Sequence, residues 1–99
     1  MGDYPKTTVT YVAEASRDLS GGYTVTFPDL HGCITEGDTL KEAKKMAKDA
    51  MVGWLSSLLK DGHNLPEAIY RLESELIGVK GVRRFSVTVE LSDLVAKPS

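Results

Sequence analysis

One apolar stripe along residues 40 to 58 most strongly limits what this chain can fold into. Apolar residues recur there at helical spacing, at Leu40, Ala43, Ala47, Ala50, Met51, Trp54, Leu55 and Leu58. Thr39 and Glu42 have the spacing of a capping box, and Gly62 lies where a helix end is expected. The pattern predicts a helix that begins at Asp38 or Thr39 and ends near Lys60. Such a helix needs a second layer to cover its apolar face.

Alternation of apolar and polar residues predicts that this second layer is a sheet. Apolar residues recur at every second position in three segments: Thr7 to Ala15, where the series begins at Val9, Tyr23 to Phe27 and Phe85 to Leu91. A short strand is expected at Cys33 to Glu36, because Pro28 cannot donate to a ladder and ends the strand before it. The stretch from 67 to 81 indicates a turn or two of helix.

The predicted order is therefore strand, strand, strand, helix, strand. We predict an α+β fold, a two-layer sandwich in which one long helix covers a small, mostly antiparallel sheet. The other face of the sheet is rich in Thr and Ser. It is interpreted as a solvated face, and docking of a partner there stays open.

Composition narrows the classes of function. The 99 residues predict a single domain over 1–99. The net charge of −2, from 12 basic and 14 acidic residues, lacks the basic excess expected of a nucleic-acid binder. No stretch approaches the roughly 18 apolar residues that a membrane span needs, and the start lacks the apolar run of a secretion signal. We expect a cytoplasmic protein that does not associate with membranes.

Reactive side chains are few. Cys33 lies two residues from His31, but a lone cysteine between apolar neighbours is typically a small core residue. One cysteine and two distant histidines do not have the spacing of a zinc site. Three acids, Glu14, Asp29 and Glu36, keep a metal-dependent nuclease open as an alternative. We therefore assign no catalytic residue, cofactor or metal, and we expect a protein that is not an enzyme.

Four lysines form a basic stripe beside the apolar face of the helix: Lys41, Lys44, Lys45 and Lys48. The stripe is interpreted as a solvated flank whose lysine stems cover apolar surface. Attraction of phosphate or of an acidic protein stays open. No aromatic residue alternates with these lysines along the sequence, as a nucleic-acid platform would require.

The stretch "GGYTVTFPDLHGCITEGDTLKEAKKMAKDAMVGWL" resembles the N-terminal domain of HicB-type antitoxins. The matching features are a Gly-Tyr strand, Phe-Pro-Asp-Leu, Gly-Cys, a Gly-Asp-Thr helix start and a long amphipathic helix. The resemblance extends from about Val9 to Pro66, and its ordered string is far more specific than any single short motif. His31 stands where proline is common in the family.

The resemblance implies a partial, catalytically degraded ribonuclease H-like fold and an antitoxin function. An antitoxin of this family binds and neutralises a small toxin that cleaves messenger RNA, so we expect a HicA-like ribonuclease toxin as partner. The candidate partner-binding residues all lie in the resembling stretch: Asp29, Leu30, His31, Glu36 and Asp38.

Assembly is the last expectation from the sequence. Family members usually continue into a DNA-binding domain, whereas this chain ends at Ser99, so we do not expect DNA binding by this chain alone. The resemblance and the exposed edges of a small sheet indicate a homodimer or tetramer, with pairing in the region from Val79 to Leu91. A further alternative is an orphan oligomeric scaffold that has no toxin.

Overall fold

The computed structural model describes residues 8–72 and 81–94, which form one sheet and one long helix. The elements in chain order are β1 (Thr8–Arg17), β2 (Tyr23–Thr26), β3 (Ile34–Gly37), α1 (Leu40–Lys60), β4 (Val82–Glu90) and a 3₁₀ helix (Leu91–Asp93). The four strands have the order β3-β2-β1-β4, and every neighbouring pair is antiparallel. The predicted α+β sandwich is confirmed.

The long helix begins and ends at the signals in its sequence. The Thr39 hydroxyl accepts the Glu42 N–H at 3.0 Å, and the Glu42 carboxylate accepts the Asp38 N–H at 2.6 Å. At the other end, Gly62 has a φ of 87° and its N–H bonds Leu59, while the N–H of His63 bonds Leu58. These two bonds form a Schellman motif, which satisfies the last carbonyl groups of the helix.

Strand alternation divides the sheet into a helix face and a second face. On the helix face, Tyr11, Ala13 and Ala15 of β1 are buried with Val87 and Val89 of β4. The helix covers them with a row of four buried residues, Ala43, Ala47, Met51 and Leu55. Near the end of the helix, Leu59 packs against the core, whereas the prediction placed Leu58 there. The buried residues recur every four positions, and about 3.6 residues make one turn, so the buried row rotates gradually round the helix.

The hydrogen-bond pattern of the ladders shows which backbone groups are left at the outer edges. The Arg17 N–H bonds the Gly81 carbonyl, and the Asp18 N–H bonds the Gly22 carbonyl. Because hydrogen-bonded pairs alternate in antiparallel ladders, the odd residues of β1 bond β4 and its even residues bond β2. The even residues of β3 and β4 therefore direct their N–H and C=O groups away from the described sheet.

Helix and sheet approach most closely at Gly37, the last residue of β3. A Cβ atom placed there would lie 2.5 Å from the backbone nitrogen of Ala43 and 2.7 Å from its Cα. Only glycine fits at this crossing, since real Cβ contacts are essentially never this short. The crossing holds the start of α1 against the end of β3.

Several predicted boundaries differ from the structure. The third strand lies one residue later than predicted, at Ile34–Gly37, and β1 and β4 are longer than the alternation indicated, because backbone pairing continues into polar residues. The predicted turn of helix after Pro66 is wrong for residues 67–72, which are not helical. Its remainder, 73–80, lies outside the described residues. No helix in the described part of the chain is long and apolar enough to span a membrane.

Candidate partner-binding surface

A cluster of acidic side chains lies where β3 meets the hairpin and the start of α1. An open depression of about 380 Å³ is lined there by Asp18, Glu36, Asp38 and Glu42, with Tyr23 and Met46 beside them. We call it the acidic depression. The Thr24 hydroxyl donates to Asp18 at 2.8 Å, and Gly21 closes the hairpin turn with a φ of 99°. The turn and the helix cap thus bring four carboxyl groups to one corner.

Among the described residues, none of these four carboxyl groups forms an ion pair, although the Arg17 guanidinium lies 6.0 Å from the centroid of the neighbouring Tyr23 ring. The ion pair found among residues 8–72 and 81–94 joins Arg84 to Glu14, on another part of the sheet. Clustered charges of one sign in a concave surface raise the local concentration of oppositely charged partners. The acidic depression is therefore suited to a basic protein surface.

A second depression, the His31 groove, lies at the other end of β3 and has a volume of about 360 Å³. Its floor contains Phe27, Leu30 and Cys33, and its rim contains His31 and Ile34. Two successive turns, closed by the Leu30 and Cys33 N–H groups, carry the chain round this corner. Ile34 is 62% exposed, which gives the rim an accessible apolar contact.

Four of the five predicted partner-binding residues line these two depressions, and Asp29 lines neither. Glu36 and Asp38 line the acidic depression, while Leu30 and His31 line the His31 groove. The Leu30 side chain is fully buried in the core, so it shapes the groove from below. Asp29 accepts the Tyr70 N–H at 2.8 Å and anchors the segment that follows the helix. Four of the five therefore have an exposed or partly exposed side chain.

Sequence reasoning missed Tyr70 and Arg84, which occupy the second face of the sheet with Glu14. Arg84 lies directly opposite Glu14 in the β1–β4 ladder, and its Nε donates to Glu14 Oε2 at 3.0 Å. The Tyr70 hydroxyl donates to the same oxygen at 3.0 Å and accepts from Arg84 Nη2 at 2.9 Å. Burial and the Glu14 carboxylate raise the pKa of Tyr70, so the hydroxyl stays a donor. The pairing of Arg84 with Glu14 follows from the strand register, which the sequence does not display, and the Tyr70 contact joins residues far apart in the chain.

The acids of the nuclease alternative do not form one site. Glu14 is held by Arg84 and Tyr70, Asp29 bonds the backbone, and Glu36 faces the acidic depression. Among residues 8–72 and 81–94, no group of three or more His, Cys, Asp or Glu is arranged to hold a metal ion. Burial raises the pKa of Cys33 to about 11, which keeps its thiol protonated and unreactive near neutral pH.

Solved structures of antitoxins share this four-stranded antiparallel sheet under one long helix. The structure superposes on the crystal structure of the Burkholderia pseudomallei antitoxin HicB with a TM-score of 0.74 and 29% identity, covering 92% of this chain and 70% of that one. The family model described as "HicB_like antitoxin of bacterial toxin-antitoxin system" matches residues 11–98. The chain belongs to this HicB-like antitoxin family.

Other known proteins share part of this sequence or its fold. It is 41% identical over 46 residues to Antitoxin HicB 1 of Photorhabdus laumondii, which is 46% of this chain and 30% of that antitoxin. It is also 40% identical over 50 residues to an uncharacterized 14.9 kDa protein of Haemophilus phage HP1, which is 50% of this chain and 38% of that protein. A toxin–antitoxin complex from Streptococcus pneumoniae shares the fold, with a TM-score of 0.71 and 20% identity, covering 90% of this chain and 74% of that chain. The ribonuclease H-like assignment stays a prediction.

Proposed function

We propose that this chain is the antitoxin of a toxin–antitoxin pair and that it binds and neutralises a small ribonuclease toxin. The observation that carries the proposal is the family match, which extends over residues 11–98 and includes the long helix and all of the described sheet except Thr8 to Thr10. A solved toxin–antitoxin complex with the same fold supports a toxin as the partner. The matches cover only 38% and 30% of the two curated relatives described above, so the proposal concerns the part of them that this chain matches.

The toxin contact is proposed along β3, from the acidic depression to the His31 groove. A ribonuclease carries basic groups that bind the phosphates of its substrate, and carboxylates such as Glu36 and Asp38 complement those groups. Ile34 and Met46 supply exposed apolar contacts at the two ends of this surface. An antitoxin bound in this way competes with RNA for the same basic groups and needs no catalysis of its own.

The chain is proposed to act without catalysis, as one binding module in the cytoplasm. Its antitoxin family has a neutralising role. The Glu14 carboxylate, central to the nuclease alternative, is bonded by Arg84 and Tyr70. The cytoplasm is where messenger RNA and a toxin that cleaves it would meet. Absence of cleavage of RNA, DNA and hybrid substrates in Mg²⁺ or Mn²⁺ is the expected result, and cleavage abolished by Glu14→Gln would contradict it.

Co-expression tests the antitoxin function. We expect the product of the adjacent small reading frame to arrest growth alone, and this chain to restore growth and to be retained with that product in a pull-down. The double variant Glu36→Gln, Asp38→Asn should weaken binding by about tenfold or more, because hydrogen bonds to charged groups contribute about 1.5–3 kcal/mol each.

Glu67→Gln is the matched control, since it removes one exposed carboxylate away from β3. It should leave rescue and binding unchanged. A neighbouring product that is neither toxic nor bound would contradict the antitoxin function. Full binding by the Glu36, Asp38 double variant would instead contradict only the proposed surface.

Self-association is proposed through the outer edge of β4. The even residues of this nine-residue strand direct their backbone groups away from β1, as derived above, and a second copy of the chain can pair with them. The proposed region lies within the earlier expectation of Val79 to Leu91, of which residues 79 and 80 lie outside the described part. A homodimer or tetramer is the expected assembly.

The variant Thr88→Pro separates pairing between chains from pairing within the chain. Because the Thr88 N–H points away from β1, proline there leaves the backbone bonds between β1 and β4 in place and removes a backbone donor from the outer edge. It also removes the hydroxyl contact of Thr88 with Thr10 at 2.7 Å, so circular dichroism must show that the variant is folded. Light scattering should show a dimer or larger species for the parent chain and a folded monomer for the variant. A monomeric parent chain, or a folded variant that still assembles, would contradict the β4 interface.

A further inference from the structure

We infer that the flank of α1 that faces β4 binds the phosphate backbone of nucleic acid. This basic flank consists of Lys41, Lys44, Lys45 and Lys48 of the helix, Arg83 of β4, and the ring of Phe85. None of these residues lines the acidic depression, and the inference is independent of the proposed toxin contact.

The helical spacing sets the lysines in one row. Lys41, Lys44, Lys45 and Lys48 stand at positions i, i+3, i+4 and i+7, so they follow one side of the helix for about 10 Å at 1.5 Å per residue. All four are exposed. A row of this kind presents several positive charges to one backbone strand of a nucleic acid.

The fold places an aromatic ring beside this row, which the order of the sequence conceals. The Lys44 ammonium lies 5.6 Å from the centroid of the Phe85 ring, and Phe85 is only half-buried. Arg83 stands two residues away on the same face of β4 and is exposed. Phe85 packs against the core and the Lys44 ammonium lies over its ring, so a base can stack there when Lys44 moves to a phosphate.

The charges of the basic flank are not paired within the described residues. No carboxylate of residues 8–72 or 81–94 forms an ion pair with these lysines or with Arg83. Glu42 lies three residues before Lys45 and Asp49 four residues after it, so both carboxylates adjoin Lys45 on the helix surface. Glu42 accepts the Asp38 N–H. Lys44 and Lys48 stand on the other border of the row, toward β4. The small net charge of −2 therefore results from an acidic surface and a basic surface whose charges nearly cancel.

The residue types favour a nucleic acid over an acidic protein. Lysine is depleted at the cores of protein–protein interfaces, where aromatic and apolar residues dominate. A row of flexible lysines makes point contacts with phosphates that do not depend on base sequence. Binding should accordingly be weak, independent of sequence and strongly dependent on salt.

Fluorescence anisotropy with a labelled single-stranded RNA and a labelled DNA duplex tests the inference. At about 50 mM salt we expect a Kd of about 10⁻⁵ M for both probes, in the range of non-specific binding, and a log–log salt slope of about −3 for the RNA, as about four contacts imply. The variant Lys44→Gln, Lys48→Gln should reduce that slope by about 1.4, since each contact contributes about 0.7.

Lys60→Gln is the control of matched chemistry, because Lys60 is exposed on the same helix but outside the row. It should change the slope little. The variant Phe85→Leu keeps an apolar residue against the core and should weaken RNA binding severalfold through loss of the ring. Circular dichroism checks that each variant is folded.

Three results would overturn the inference: no binding of either nucleic acid at about 50 mM salt, an unchanged slope in the folded lysine double variant, or equal binding of polyglutamate and RNA. The last result would make the basic flank a surface for acidic proteins. Toxin binding by the lysine double variant should stay at the parent level, so a failure here is distinguishable from failure of the proposed antitoxin function.

Discussion

Replacing Gly37 by alanine should lower the free energy of unfolding by about 3 kcal/mol, at the upper end of what overpacking costs. The added methyl group would lie 2.5 Å from the backbone nitrogen of Ala43 and 3.0 Å from the carbonyl carbon of Glu42. These are backbone atoms of the first turn of α1, so relief requires the helix to move away from β3. That movement would also open the capping interactions of Thr39 and Glu42.

Gly53→Ala is the same chemical change on an open surface of the helix. A Cβ atom there meets nothing within 4 Å, and alanine restricts the unfolded chain more than glycine does. The variant should therefore gain about 0.5–1 kcal/mol. Urea unfolding of both variants measures the difference, and a Gly37→Ala protein as stable as the parent would show that the crossing tolerates a side chain.

Replacing Arg84 by methionine should lower the free energy of unfolding by about 2 kcal/mol, because a partly buried carboxylate loses its charged partner. The side chains of Arg84 and Glu14 are only 11% and 18% exposed. Arg84 also stacks on the Tyr70 ring at 5.1 Å and donates to the Leu72 carbonyl. The segment that carries Tyr70 should become more accessible to hydrogen exchange in this variant.

Arg83→Met provides the control. Arg83 lies next to Arg84 in the chain but is exposed, and the substitution changes the same atoms. It should alter stability by less than about 0.5 kcal/mol, as surface substitutions usually do. The double variant Glu14→Gln, Arg84→Met should lose less than the sum of the single variants, because the unpaired charge is gone. Additive losses would show that the pair is not coupled.

The sheet and helix could be predicted from the sequence because local signals agree with the tertiary structure. Strand alternation placed Tyr11, Ala13 and Ala15 on one face, and the capping residues fixed both ends of α1. Boundaries were less exact, since ladder pairing extends β1 to Arg17 beyond the last apolar residue. The alternation of apolar residues shows which side chains are buried, whereas the end of a strand is set by where its backbone hydrogen bonding stops.

The surfaces could be predicted only in part. Glu36 and Asp38 were identified from the resembling stretch, but their grouping with Asp18 depends on how the hairpin folds back. Tyr70 follows a segment without periodicity, and its contact with Glu14 joins residues far apart in the chain. Likewise, Phe85 meets Lys44 only because α1 crosses to β4. Contacts between distant elements leave no local pattern.

The strand order also has a consequence for synthesis on the ribosome. β1 is made first, yet one of its two neighbours in the sheet is β4, the last strand. While β2, β3 and α1 emerge, the odd residues of β1 have no backbone partner on that side. Exposed strand edges promote mispairing between chains during folding. We expect the nascent chain to be most prone to aggregation just before β4 leaves the ribosome.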